Sequence, residues 1–175
     1  MALGNDILGD DAAALIAAEI LRKDFAGRID FVDTIESGLA LLELMTGYDQ
    51  VLLLDTITTG LHKPGTILDF SSQDFGSVMG SSPHCMGLPE VFELANRLSI
   101  PFPREIRIHA MEIDGPEEFS ETLNPVIECA MDPYIRSASQ ILTSWIGMDA
   151  SNESRQEVTV PSQLNKLGQF DRQEL

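Results

Sequence analysis

The sequence predicts an α/β sandwich built around a largely parallel sheet. Short apolar segments alternate with helical segments along the chain, and that alternation is typical of layered α/β domains. The run at residues 51–54 is apolar throughout, as expected of a central strand that is covered on both faces. With 175 residues, 43% of them hydrophobic, the chain is long enough for one domain with a substantial core. We expect the domain to span residues 1–147 and a polar tail to span residues 148–175.

Each element follows from a local pattern of apolar residues and turn residues. The expected elements, in chain order, are a short strand at residues 1–3, a helix at 11–24, a strand at 28–33, a helix at 36–46, a strand at 51–54, a strand at 66–70, a helix after His84, a strand at 105–111 and a helix from about Pro125 to Gly147. Asp10 is expected to cap the first helix. Pro133 is expected to kink or divide the last one.

Composition limits the partners and the compartment. The formal net charge of −17 opposes binding to nucleic acid or to an anionic membrane, since both attract basic surfaces. Two cysteines do not make a disulfide framework, which favours a reducing compartment. We see no signal peptide, and no apolar run reaches the roughly 20 residues that span a bilayer. We therefore expect a cytoplasmic protein with no nucleic-acid partner and no membrane insertion.

Three side chains with metal-ligand chemistry stand at the ends of separate chain segments. Asp11 opens the first helix, Asp55 follows the run at 51–54, and His84 ends a Ser/Gly-rich loop at residues 71–83. In an open α/β sheet such positions converge in one crevice beyond the carboxyl ends of the strands. Two carboxylates and an imidazole there would suit a nickel-like or zinc-like ion.

Each of these residues also has a simpler interpretation. Asp11 could simply be a carboxylate at a helix start that interacts favourably with the helix dipole. Asp55 could be a turn residue, and His84 could be a surface or capping residue. His62 stands beside Lys63, where a cation is repelled, and His109 falls in mid-strand, where a satisfied structural role is favoured. Cys85, without a second cysteine at metal spacing, is interpreted as a buried thiol.

Standard protease signatures are absent from the sequence. Neither Gly-x-Ser-x-Gly nor His-Glu-x-x-His occurs, and both would carry a known catalytic geometry. The adjacent acids Asp10 and Asp11 point in different directions, so they do not form an aspartic-protease pair that shares a proton.

Six separate motifs, in order along residues 3–146, resemble those of the hydrogenase maturation proteases. They are Leu3-Gly4-Asn5 with Leu8 and Asp10-Asp11, Glu36-Ser37-Gly38-Leu39, Gly47-Tyr48-Asp49 with Val51 and Asp55, Pro64-Gly65-Thr66-Ile67, Ser82-x-His84 with Gly87-Leu88, and Leu123-Asn124-Pro125 with Ile127 and Pro133. Because several motifs recur in one order, the resemblance is far more specific than any single motif.

The resemblance implies a fold, an activity and a site. The fold is a three-layer α/β/α sandwich around a mostly parallel, twisted five-stranded sheet. The activity is that of an aspartic-type endopeptidase that removes the C-terminal extension of the nickel–iron hydrogenase large-subunit precursor after nickel insertion. The resemblance implies that Asp11, Asp55 and His84 recognise the substrate's nickel. We expect these three residues to be both the catalytic residues and the metal ligands. The implied cofactor is thus nickel, carried by the substrate rather than held permanently.

Two departures from the family pattern keep alternatives open. Ala12 stands where the family usually has glycine, and only three residues precede Gly4 where a longer apolar strand is usual. One alternative is a metal-sensing chaperone or docking module that binds a hydrogenase precursor without cutting it. Another is an unrelated metal-dependent hydrolase of a small substrate.

Overall fold

The structure is a computed structural model that describes residues 1–71, 74, 82–85, 87–115, 120 and 122–156, with the backbone alone described from residue 148 onward. Five strands and four α-helices, together with one 3₁₀ helix, make up this described part. They are β1 (Ala2–Leu3), the 3₁₀ helix (Gly9–Ala12), α1 (Ala13–Asp24), β2 (Asp33–Thr34), α2 (Leu39–Met45), β3 (Gln50–Ile57), β4 (Ile67–Ser71), α3 (Leu88–Leu98), β5 (Glu105–Glu112) and α4 (Pro125–Gln156).

The sheet has the order β2-β1-β3-β5-β4. Strands β3 and β5 form its centre and pair in parallel over their full length, from Gln50 opposite Glu105 to Ile57 opposite Glu112. Only β4 runs antiparallel, against β5. The expectation of a mostly parallel five-stranded sheet is therefore confirmed.

Helices cover both faces of the sheet. Alternate residues of β3, such as Leu53 and Ile57, pack in one buried cluster with Leu41 and Met45 of α2 and with Leu88 of α3. On the other face α1 packs against β1 and β3. Helix α4 lies on that same face, where the ring of Tyr134 stacks on His109 of β5 with 4.8 Å between ring centroids. These contacts make the three expected layers.

Several expected boundaries differ from the structure. The strand expected at residues 28–33 is reduced to Asp33–Thr34, because its one partner in the described sheet, β1, offers only two residues for pairing. The helix expected at 36–46 begins only after Gly38, whose φ of +56° is left-handed. The first helix is divided, since a 3₁₀ turn precedes α1.

The prediction that Asp10 caps the first helix is wrong. The 3₁₀ helix and α1 begin without a side-chain cap hydrogen bond. Asp10 is buried instead, and its Oδ1 accepts the backbone N–H of Asn124 over 2.6 Å. The carboxylate thus joins the start of α1 to the start of α4 across 114 positions of chain.

Helix α4 continues past Gly147 to Gln156, with Pro133 inside a single helix. Residues 148–156 contain no glycine or proline, so nothing local ends the helix where the sequence had been expected to become a tail. Residues 157–175, the rest of that expected tail, lie outside the described residues. The chain forms two compact units. The first, Met1–Leu142, contains the sheet, and the second begins at Thr143. Of the helices in the described part, none is long and apolar enough to cross a bilayer.

Candidate functional site

Asp11 is held at the junction of the 3₁₀ helix and α1 by the turn that follows β1. Its Oδ2 accepts the backbone N–H of Asn5 over 2.9 Å, and its Oδ1 accepts the hydroxyl of Thr56 over 2.7 Å. The turn passes so close that a Cβ on Gly4 would lie 2.2 Å from the carbonyl oxygen of Asp11. Only glycine fits at position 4 without moving one of the two segments.

Asp55 lies near the carboxyl end of β3 and is completely buried, at 0% exposure. Its Oδ1 accepts the backbone N–H of Thr56 over 2.9 Å. Its Oδ2 accepts the hydroxyl of Ser82 over 2.5 Å and the thiol of Cys85 over 3.2 Å. Both carboxylate oxygens therefore have donors within the protein, which is what allows a carboxylate to be buried.

His84 completes the cluster. Its Nε2 lies 3.5 Å from Asp11 Oδ2, and the two side chains remain 11% and 15% exposed. Successive residues of a strand point to opposite faces, so Asp55 reaches the α2 and α3 layer while Thr56 reaches Asp11 on the α1 side. The site thus wraps around the end of β3, with Asp55 at its floor and with Asp11 and His84 at its accessible edge.

Burial and hydrogen bonding set the charges in this cluster. Burial opposes ionisation of Asp11, but hydrogen bonds from His84 and Thr56 outweigh it and hold the pKa of Asp11 below its ordinary value. For Asp55 burial prevails and raises the pKa to about 6. The hydrogen bond to Asp11 raises the pKa of His84. Burial raises the pKa of the Cys85 thiol, which stays protonated and so donates to Asp55 at neutral pH.

The sequence-predicted residues Asp11, Asp55 and His84 therefore lie in one cluster, and their donor atoms are those that a borderline ion such as nickel prefers. Their present arrangement is not a ready metal site. Among the described residues, no three acidic, histidine or cysteine side chains are placed to hold one ion. Asp55 is held by hydrogen bonds from Thr56, Ser82 and Cys85, so Asp11 and His84 would have to shift toward it for the three to share one ion.

Three residues of this cluster were missed or undervalued by sequence reasoning. Thr56 and Ser82 each supply a hydroxyl to a site carboxylate, and Cys85 is the buried thiol that was expected but also contacts Asp55. The available signal was position: Thr56 directly follows Asp55, and Ser82 stands two residues before His84. The larger part of the Ser/Gly-rich loop at residues 71–83 lies outside the described residues.

The two other histidines do not join the cluster. His62 lies on an exposed loop. His109 is fully buried, with Nδ1 2.7 Å from Asp69 Oδ1 and Nε2 2.9 Å from Ser137 Oγ.

The chain Asp69–His109–Ser137 has the hydrogen-bond order of a serine-protease triad, but its surroundings are structural. The His109 ring is out of reach of a substrate, and the Ser137 hydroxyl donates to the backbone carbonyl of Pro133 over 2.8 Å in its own helix. This group joins β4, β5 and α4.

A shallow groove lies beside Asp11 at the carboxyl ends of β1 and β2. Its volume is about 380 Å³, and it is lined by Gly4, Asp6, Leu15, Asp33, Thr34 and Ile35. Ile35 is 66% exposed at its rim. The lining is partly apolar and partly acidic, and Gly4 connects the groove to the segment that carries Asp11.

Comparison with known proteins gives one consistent family. The family model described as hydrogenase maturation protease matches residues 16–141, a segment that contains Asp55 and His84 and begins after Asp11. The hydrogenase expression/formation protein HoxM from Cupriavidus necator is 26% identical over 170 residues, covering 92% of this chain and 83% of the relative.

Solved structures show the same fold. The hydrogenase maturating endopeptidase HybD from E. coli matches with a TM-score of 0.70 at 22% identity, covering 81% of this chain and 89% of that one. The nickel–iron hydrogenase maturation protease HybD from Thermococcus kodakarensis matches with a TM-score of 0.59 at 23% identity, covering 79% and 94%. At these identities the structural likeness shows the fold alone. The family is shown by the family model, which matches most of the domain. The chain belongs to the hydrogenase maturation protease family.

Proposed function

We propose that this protein is an endopeptidase that removes the C-terminal extension of a nickel-loaded hydrogenase large-subunit precursor. The observation that carries the proposal is the convergence of Asp11, Asp55 and His84 around the end of β3, in a chain of this family. The precursor's nickel belongs to the substrate and serves as the recognition element.

The two partly accessible members of the cluster, Asp11 and His84, would meet the nickel first. Asp11 is ionised at neutral pH, since its pKa is lowered. His84, whose pKa is raised by Asp11, would release its proton as its nitrogen binds the ion. Asp55 would join when Asp11 and His84 bring the ion to it, with its carboxylate still hydrogen-bonded to Ser82 and Cys85. Three protein ligands leave positions for the precursor's own ligands, so one ion would clamp the two chains together.

The groove beside Asp11 supports the position of the peptide. An extended segment entering there would pass Leu15 and Ile35 with its apolar side chains and would meet the carboxylate of Asp6. A chain anchored in this way at its metal and along its tail holds one peptide bond near the cluster, and such fixed geometry accounts for much of enzymatic rate acceleration.

The test uses Asp11→Ala, Asp55→Ala and His84→Ala with a nickel-loaded large-subunit precursor. Loss of a metal-recognising side chain is expected to slow cleavage by at least about 10- to 100-fold, followed as the shift in gel mobility of the precursor. Asp24→Ala and His62→Ala, matched in residue type and exposed away from the cluster, should cleave at the wild-type rate.

Two results would contradict the proposal in different ways. Full activity in all three cluster variants would remove the proposed site. Efficient cleavage of nickel-free precursor would remove the recognition role of nickel and leave the protease. Stable binding of the loaded precursor without any cleavage by wild type would instead favour the non-cleaving docking module.

A further inference from the structure

Ser82 connects two of the three cluster residues through a single hydroxyl. It is buried, at 1% exposure. The hydroxyl donates to Asp55 Oδ2 over 2.5 Å and accepts the backbone N–H of His84 over 3.1 Å. It also accepts the backbone N–H of Cys85 over 3.4 Å. The floor of the cluster and the segment that carries its imidazole are thus joined at one atom.

The hydrogen bond that the Ser82 hydroxyl donates distinguishes this residue from a serine that only stabilises a turn. A serine that only closes a turn needs to accept backbone N–H groups, and Ser82 does so with His84 and Cys85. Its one proton goes elsewhere, to the carboxylate of Asp55. A hydroxyl directed at an ionised acceptor makes a short, strong hydrogen bond.

Cys85 is a second and weaker donor to the same oxygen. Its thiol lies 3.2 Å from Asp55 Oδ2 and is 3% exposed. With the Thr56 N–H on Oδ1, the carboxylate is held from both ends by neutral donors. Its plane is therefore set by these partners, of which the Ser82 hydroxyl is the nearest.

We propose that Ser82 is a positioning residue for nickel recognition. It orients the Asp55 carboxylate and holds it at a fixed distance from the segment that carries His84. The inference rests on the proposed function. Partners that orient metal ligands are commonly worth a factor of about 10 to 100 in affinity or activity. Ser82 is expected to act at this level without touching the ion or the scissile bond.

The experiment compares binding of nickel-loaded and nickel-free precursor to wild type and to Ser82→Ala, with the folded fraction checked by circular dichroism. If Ser82 positions Asp55, Ser82→Ala should raise the Kd for the loaded precursor by about 10-fold or more and leave the Kd for the nickel-free precursor unchanged. A serine that only stabilises a turn would change both alike. Ser82→Thr, which keeps the hydroxyl, should restore most of the loss.

Two further variants keep the test decisive. Thr46→Ala removes an exposed hydroxyl that donates to the carbonyl of Leu42, far along the chain from the cluster, and should change neither Kd. If Ser82→Ala fails to fold, Cys85→Ala removes the second donor to Asp55. In the folded variant it should weaken binding of the loaded precursor in the same selective way, by a smaller factor.

The outcomes separate this inference from the proposed function. Equal weakening toward both precursors, or unchanged binding of both, in the folded variants overturns the positioning role while Asp55 can still be essential. If wild type itself binds the two precursors equally, nickel recognition has failed and the inference fails with it.

Discussion

At the scale of single residues, His109 shows how a buried ionisable group is accommodated away from the cluster. Its ring is fully buried, stacks nearly parallel on Tyr134, and bonds to Asp69 and Ser137. The Tyr134 hydroxyl in turn donates to the backbone carbonyl of His109 over 2.9 Å and to that of Asp55 over 3.2 Å. The group therefore also fixes the backbone on which Asp55 is carried.

The Asp69 carboxylate makes this group sensitive to acid. The hydrogen bond from His109 lowers the pKa of Asp69, so its contribution to stability is complete above the unfolded value of about 3.9 and is lost as the pH falls through the folded value. Because the side chain is 48% exposed, we expect less than about 1 kcal/mol. Asp69→Asn should lower the free energy of unfolding at pH 7, and the difference from wild type should shrink progressively as the pH falls below about 4.

Urea unfolding at a series of pH values measures this difference. Asp24→Asn, at an exposed acid on α1, is the control and should follow wild type at every pH. A deficit of Asp69→Asn that does not shrink at all as the pH falls below about 4 would show that the lost stability does not come from the ionised carboxylate.

Residue identities were easier to predict from the sequence than residue contacts. Asp11, Asp55 and His84 stand out because each ends or begins an element, and topology then brings them together. Ser82 and the true partner of Asp10 depend on which distant segments meet. Asp10 accepts a backbone N–H 114 positions away, and no local pattern contains that information.

At the scale of elements, the turn between β1 and the 3₁₀ helix is the segment that places Asp11. The parallel pairing of β1 with β3 brings the turn to the same edge of the sheet as Asp55 and Thr56. Asn5 then donates to Asp11 from within the turn. Strand length limits the neighbouring element, since a two-residue β1 allows β2 only two pairs. Hydrophobic pattern predicts that a strand exists, but its partner decides how long it is.

Gly4→Ala tests whether this turn holds Asp11 in place. The added Cβ would lie 2.2 Å from the Asp11 carbonyl oxygen, so either the turn or the start of the helix must move. Overpacking of this kind costs about 1–3 kcal/mol, measured by urea unfolding. Cleavage of nickel-loaded precursor should fall at least about 10-fold, because small displacements of site residues are costly.

Gly27→Ala is the matched control for this prediction. Nothing lies within 4 Å of its added Cβ, and its left-handed backbone accounts for a loss of about 1 kcal/mol with cleavage unchanged. Wild-type cleavage by a folded Gly4→Ala variant would contradict the role given to the turn.

At the scale of the whole molecule, the order of elements was predictable because alternation of strands and helices restricts the topology. The sequence could not give the strand order β2-β1-β3-β5-β4 or the antiparallel direction of β4, since both depend on pairing between segments far apart in the chain. Charge is the other global property. The chain carries 28 acidic residues against 11 lysines and arginines, and such an excess repels itself in the compact state.

Salt should therefore stabilise this protein. Raising NaCl from about 10 mM to about 150 mM shortens the screening length from roughly 30 Å to roughly 8 Å, which weakens repulsion among the acids more than it weakens the few surface ion pairs. We expect the Tm to rise by a few degrees at pH 7.5, measured by circular dichroism. KCl at equal ionic strength should give the same rise. A Tm that falls with both salts would mean that the ion pairs outweigh the repulsion.

The depth of Asp55 has a consequence for metals that reach this protein unaccompanied. A hydrated divalent ion arriving from solution meets only the edge formed by Asp11 and His84, and two ligands grip such an ion far less firmly than three or four. Dissolved nickel or zinc salts are thus expected to associate weakly with the resting enzyme. Under the proposed function, the protein would respond to an ion presented inside a folded partner rather than to free metal in solution.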